Sequence, residues 1–261
     1  TPVPALDCDM IARLRADVIA SSWTTDTLDE LLSDGALSAL MRDSRLPALV
    51  ELAGVDAPAA TLTRFFIGGQ PERASALDAA LPTLGAAGLE TLGLAATIDE
   101  DEAASALVMP RPYSKSAPKR ERAQAGEGEE ASFPTAPALP TMRDPDEEPE
   151  PEVVVDPWMR ALYDLRPHAA ALPGGEHEWW VTSDLGEGQT GKPLADHHVM
   201  GIGGATRTLL EMTVRDQVDS ALDVGCGCGI QALYLATHAR RVVATDLSAR
   251  ACALTQFNAA L

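Results

Sequence analysis

The chain has 261 residues, 46% of them hydrophobic, and 20 basic against 39 acidic side chains leave a formal net charge of −19. That length suits one large domain or two ordinary ones with a substantial core, and the charge excludes a general polyanion binder, which needs clustered Lys and Arg; a local basic groove stays open. Cys8, Cys226, Cys228 and Cys252 make no secreted disulfide framework, no run nears the roughly 18 apolar residues of a membrane span, and residues 1–20 lack a signal peptide's apolar middle, so a cytoplasmic protein without membrane contact is predicted.

Residues 1–113 read as a helical N-terminal domain. In MIARLRADVIASSW the apolar positions Ile11, Leu14, Val18 and Ile19 fall on one helical face. Thr25 or Asp26 is placed to cap a second helix that turns Leu28, Leu31 and Leu32 inward. TLTRFFIGG ends on Gly68 and Gly69, a stop signal. Helices over 72–81 and 86–92 then precede two apolar runs, LGLAATI and ASALVMP, separated by the acidic turn DEDE. Helix, turn, helix, hairpin is a winged-helix-like order. Nucleic-acid contact is one expectation for such a unit. Asp99 to Glu102 at the wing tip would repel phosphate, which favours a substrate-docking or structural module.

Residues 114–156 carry basic and then acidic runs, many prolines and few large apolar side chains. Such a stretch buries too little to offset its ordering entropy, and a disordered linker is predicted. Residues 157–190 predict a β-hairpin, with RALYDLRPH and EWWVTSD flanking PGG. Trp179 and Trp180 are adjacent and so face opposite sides of a strand, one to pack and one to pack or meet a partner. His168 and His177 flank the hairpin and carry no signal of their own.

The chemistry concentrates in residues 191–261. SALDV is a short apolar run suited to a buried parallel strand, and the loop Gly225-Cys226-Gly227-Cys228-Gly229 follows at once. IQALYLATHA reads as a helix and RRVVATD as a second strand ending at Asp246. This is a β-α-β unit with glycines at its first turn, where open α/β sheets bind ligands and where backbone N–H groups face outward beside a helix N-terminus. A dinucleotide loop of the form G-x-G-x-x-G/A would put the β-branched Ile230 at its last position, and the Gly-Lys-Ser/Thr of a P-loop is absent. Asp223 before the loop and Asp246 after the second strand suit a ligand with a cationic end and a ribose diol, and would repel a pyrophosphate. S-adenosylmethionine has those features and no phosphate. The CxC spacing of Cys226 and Cys228 has no second pair at zinc spacing, so no metal is predicted and both read as small residues in a tight loop. Asp196 to His198 read as structural or as part of a cofactor lid, and Gly201, Gly203 and Gly204 as a loop near the cofactor. His238 is expected to meet the dipole at the end of the first core helix.

The stretch ALDVGCGCGIQAL…VVATDLSARACALTQFNAAL resembles the first motif and the acidic second-strand motif of class I S-adenosylmethionine-dependent methyltransferases. It is similar above all to the group that includes release-factor glutamine N5-methyltransferases and ribosomal RNA guanine-N2 methyltransferases. The resemblance covers 215–261 well and extends to about 176. It implies an α/β fold with the first β-α-β-α part of a Rossmann-like core. It also implies cofactor contacts from Asp223, Gly225, Cys226, Gly227, Gly229, Asp246 and Leu247, with Asp223 under the methionine amino group, Asp246 on the ribose and Leu247 beside the adenine. The implied reaction is methylation of a nitrogen of a protein glutamine or an RNA base. A small-molecule methyltransferase, or a non-catalytic binding protein with a vestigial loop, are the alternatives. The Asn/Asp-Pro-Pro-aromatic motif that positions the acceptor nitrogen in that group does not occur in these residues. The expectation is therefore a fragment of a longer protein, with its catalytic residues beyond Leu261 and an exposed apolar face on its first core strand.

Overall fold

The computed structural model describes residues 2–106, 155–172 and 174–261. All but the last two residues of the predicted linker 114–156 lie outside them.

Helix α1 (Cys8–Ala20) starts at Asp7, whose carboxylate accepts the N–H groups of Asp9 and Met10. It buries Ile11, Leu14 and Val18, but Ile19 is 56% exposed, against the sequence expectation. Asp17 takes the inward position instead, because its carboxylate accepts from the backbone N–H groups of Thr83 and Leu84 and from the Thr83 hydroxyl. Helix α2 (Thr25–Leu31) is capped by Thr24, one residue before the predicted caps, and Leu28 and Leu32 are buried. Helices α3 (Asp34–Leu40), α4 (Leu46–Glu51) and α5 (Pro58–Leu62) follow. The last runs into a π-helical turn over Thr63–Ile67 that buries Phe65 and Phe66 and stops at Gly68.

Strand β1 (Glu72–Arg73), α6 (Ala74–Ala80), α7 (Gly85–Thr91), β2 (Ala95–Ile98) and α8 (Glu100–Ala106) come next. Among the described residues the predicted hairpin between the two apolar runs is not formed, and the start of the second run belongs to α8. Asp99 Oδ1 accepts the Glu102 N–H, and Glu100, Asp101 and Glu102 fill the first turn of α8, where carboxylates are favoured by the helix dipole. The partner of β2 is β3 (Trp158–Ala161), which pairs antiparallel with both neighbours in the order β1-β3-β2. Strand β3 thus completes the N-terminal sheet, so the stretch that opens at 157 begins with a strand of that sheet. Asp156 supports that junction by accepting from the Ser75 N–H and hydroxyl.

The hairpin itself is β4 (Tyr163–Leu172) and β5 (Gly175–Asp184), in register from Tyr163↔Asp184 to Leu172↔Gly175. Helices α9 (Glu187–Thr190) and α10 (Gly204–Met212) lead to β6 (Val218–Val224), α11 (Ile230–Leu235), β7 (Ala239–Thr245) and α12 (Ala249–Ala260). Strands β6 and β7 are parallel, as predicted, with Val224 opposite Thr245. Their outer face is open: Leu222 is 61% and Val224 76% exposed, whereas Asp223 between them is buried.

One hydrophobic cluster runs from Ile11, Trp23 and Phe66 through Tyr163 and Trp180 to Ile230, Leu254 and Phe257. The helical region, the hairpin and the β-α-β unit thus share a core, and the Trp180 indole N–H donates to the Trp23 carbonyl across it (2.7 Å). No helix among the described residues is long and apolar enough to cross a membrane.

Candidate functional site

The glycine loop turns directly off the end of β6. The N–H groups of Gly225 and Cys226 both donate to the Thr245 carbonyl at 2.7 and 3.0 Å, so the loop begins stitched to β7. Gly225, Gly227 and Gly229 have φ of +79°, +55° and +87°, a region that side chains disfavour. Gly229 is also sterically required. A Cβ there would lie 2.8 Å from Thr255 Cγ2 and 3.1 Å from Thr255 Cα, whereas at Gly225 and Gly227 it would meet nothing within 4 Å. Behind the loop, Thr255 Oγ1 lies 3.1 Å from the Gly227 carbonyl and 3.2 Å from Cys226 Sγ. Asn258, one turn further along α12, donates to the carbonyls of Cys228 (2.7 Å) and Thr182 (2.8 Å) and accepts the Thr182 N–H (2.9 Å). A single buried amide therefore ties the loop, the hairpin and α12 together.

Asp223 is 8% exposed, and its Oδ2 has no hydrogen-bond partner among the described residues. Burial raises its pKa above the ordinary carboxylate value, the nearby Asp246 adding to the effect against an opposing backbone hydrogen bond from Ala232. Asp246 is in the opposite situation. It accepts the N–H groups of Ser248 (2.8 Å) and Gly227 (3.0 Å), and these bonds lower its pKa. Cys226 and Cys228 are buried free thiols whose pKa values are raised by burial. No group of His, Cys, Asp or Glu among the described residues could hold a metal ion.

Asp223, Gly225, Cys226 and Gly227 line a cavity of about 340 Å³, walled on the far side by Met200, Gly201, Thr206 and Leu209. Four of the seven predicted contact residues are thus brought to one hollow. Gly229 caps α11, Asp246 braces the loop, and Leu247 stands fully exposed beside it, and none of the three lines the cavity. Of the predicted glycine loop, Gly201 reaches this cavity and Gly203 lines a neighbouring one that shares Met200 and Gly201, where His198 of the predicted lid also lies. His238 is buried just beyond the end of α11. Gln231 lines the cavity too, its amide 3.4 Å from the Thr206 carbonyl. Thr255 and Asn258 lie three apart in α12, a spacing that puts both on one helix face.

Residues 20–106 match a family described as a domain of unknown function (DUF7059), a stretch that stops at the end of α8 and so leaves out the strand that completes its sheet. No curated protein matches the chain.

Proposed function

We propose that the chain binds S-adenosylmethionine and serves methyl transfer to a nitrogen of a protein glutamine or an RNA base. The observation that carries this is Asp223, a buried carboxylate with a vacant oxygen on the same cavity as a glycine loop. An unpaired buried charge is costly, and a ligand ammonium removes the cost. The space over Gly225 and Gly227, which a Cβ would fill, and a cavity within the roughly 300–1,000 Å³ range of small-ligand sites both fit the cofactor. When bound, the cofactor supplies a methyl group on a sulfonium, activated for direct displacement. The chain's part is positioning. Asp223 would hold the amino group, Asp246 would fix the sugar, and Leu247 would offer an apolar surface to the base. Displacement of this kind needs alignment more than proton transfer.

The finer fold reading belongs to the same proposal. Parallel β6 and β7 joined through α11 support a Rossmann-like arrangement, and α6-α7 followed by β2 and β3 in the order β1-β3-β2 supports a winged-helix-like N-terminal unit for substrate docking. Calorimetric titration of the chain with S-adenosylmethionine tests the reading. Saturable binding that Asp223→Asn weakens roughly thirtyfold or more is expected; no binding by the unaltered chain, or equal binding by the variant, overturns it.

A further inference from the structure

A second cavity, of about 210 Å³, opens between the hairpin and helices α10 and α11, and is lined by His168, Ala170, Arg207, Glu211, Arg215 and Tyr234 among others. It shares no lining residue with the Asp223 cavity. In a chain of net charge −19 it gathers two guanidinium groups, and neither Arg207 nor Arg215 makes an ion pair among the described residues. Arg215 lies 5.9 Å over the Tyr234 ring and donates to the Leu210 carbonyl, which holds its head at the cavity wall. Glu211 is the one carboxylate on the lining.

Beside the cationic wall stands a run of aromatic rings. His177 and His168 flank Trp179 with interplanar angles of 13° and 17° and centroid distances of 5.5 and 6.3 Å. Tyr234 closes the run 5.1 Å from Trp179, with its hydroxyl 2.8 Å from His168 Nε2. Trp180, on the other face of the same strand, is buried in the core, so the half-buried Trp179 is the ring left toward the surface. Burial, and then Arg207, pull the His168 pKa down to about 4, so its imidazole is neutral near pH 7 and serves as a hydrogen-bonding ring.

We infer that this cavity is a binding site for single-stranded RNA, with Arg207 and Arg215 on a phosphate and the Trp179 run as the platform for an adjacent base. Guanidinium groups beside flat rings are the combination that recognises unpaired nucleotides, because phosphate is met by charge and every base offers a π-face. A duplex hides those faces. The inference rests on the methyl-transfer reading only in making the bound strand the methyl acceptor, and binding itself needs no donor.

The test is fluorescence anisotropy of the full chain with a labelled single-stranded RNA of about ten nucleotides, without the methyl donor. Saturable binding is expected, about tenfold weaker in Arg207→Gln and in Trp179→Leu, with the log–log salt slope of Arg207→Gln reduced by about 0.7. Arg207 is exposed, so its variant keeps the fold, and circular dichroism checks this for Trp179→Leu. No binding by the unaltered chain, undiminished binding by Arg207→Gln, or equal binding of duplex RNA or of an acidic peptide overturns the inference. Donor titration in parallel separates the two proposals: donor binding without RNA binding removes only this one, and RNA binding without donor binding removes only methyl transfer.

Discussion

Burial holds the proton on Asp223 to higher pH in the folded chain than in the unfolded one. The resulting stabilisation is present below the unfolded pKa, declines as pH rises through the folded one, and is replaced by an ionisation penalty above it. Asp223→Asn is therefore expected to raise the Tm of the ligand-free chain near pH 7, by an amount on the order of 1 kcal/mol or about 2–4 °C, while it weakens donor binding. A fall in Tm measured by calorimetry would count against the unpartnered oxygen. Donor affinity in the unaltered chain should decline on acidification as Asp223 protonates. Asp246, held low by two N–H donors, stays ionised well past that point, so the acid limb belongs to Asp223. Asn258 is the complementary case, a polar group with every bond made. Asn258→Ala leaves two buried carbonyls and one N–H without partners and is expected to cost about 2–4 kcal/mol in denaturant unfolding. Asn258→Asp should be at least as damaging, because it sets a carboxylate against the carbonyls of Thr182 and Cys228.

The glycine loop separates two requirements that one motif conceals. Gly227→Ala meets open space and carries only the strain of a positive φ, about 1–2 kcal/mol, so a folded chain with impaired donor binding is expected. Gly229→Ala adds a clash with the Thr255 backbone and should unfold the chain at clearly lower temperature, because α12 must move. Paired thermal melts and donor titrations check both, and equal destabilisation would contradict the geometry. The β-α-β unit was legible because strand, loop and helix are contiguous and each announces itself locally. The α8 region was not. Four successive acids read as a turn, yet Asp99 is a helix cap and the next three suit a helix N-terminus; the sequence also held nothing near 103–109 to say that the partner of β2 begins at Trp158. Strand pairing across that separation is set by which faces bury together, a property of the assembled core. The same holds for His168, unremarkable in sequence and significant only once Tyr234 and Trp179 are beside it.

Across the whole molecule, the division into a helical domain, a hairpin and a β-α-β unit suggests parts that unfold separately, and the packing argues otherwise. The sheet over β1 and β2 is incomplete without β3, and the sequence match at 20–106 excludes that strand. Trp23 in the helical region receives the Trp180 indole on its carbonyl, Arg15 of α1 reaches the carbonyls of Ala260 and Leu261, and Arg250 of α12 bonds Asp184 and the Tyr163 hydroxyl on the hairpin. These bonds bridge one continuous apolar cluster, and removal of any part exposes its neighbours' buried faces. The full chain is expected to unfold in a single transition, with tryptophan fluorescence and far-ultraviolet circular dichroism coinciding in urea. The four tryptophans make that comparison informative: Trp23 reports on the helical region, Trp158 on the three-stranded sheet, and Trp179 and Trp180 on the hairpin. A chain cut to residues 1–106 should give no cooperative transition, since β1 and β2 lose their common partner and Trp23, Phe66 and Leu94 lose part of their cover. Two resolved transitions in the full chain, or a cooperative melt of the 1–106 piece, would show the shared core to be energetically divisible.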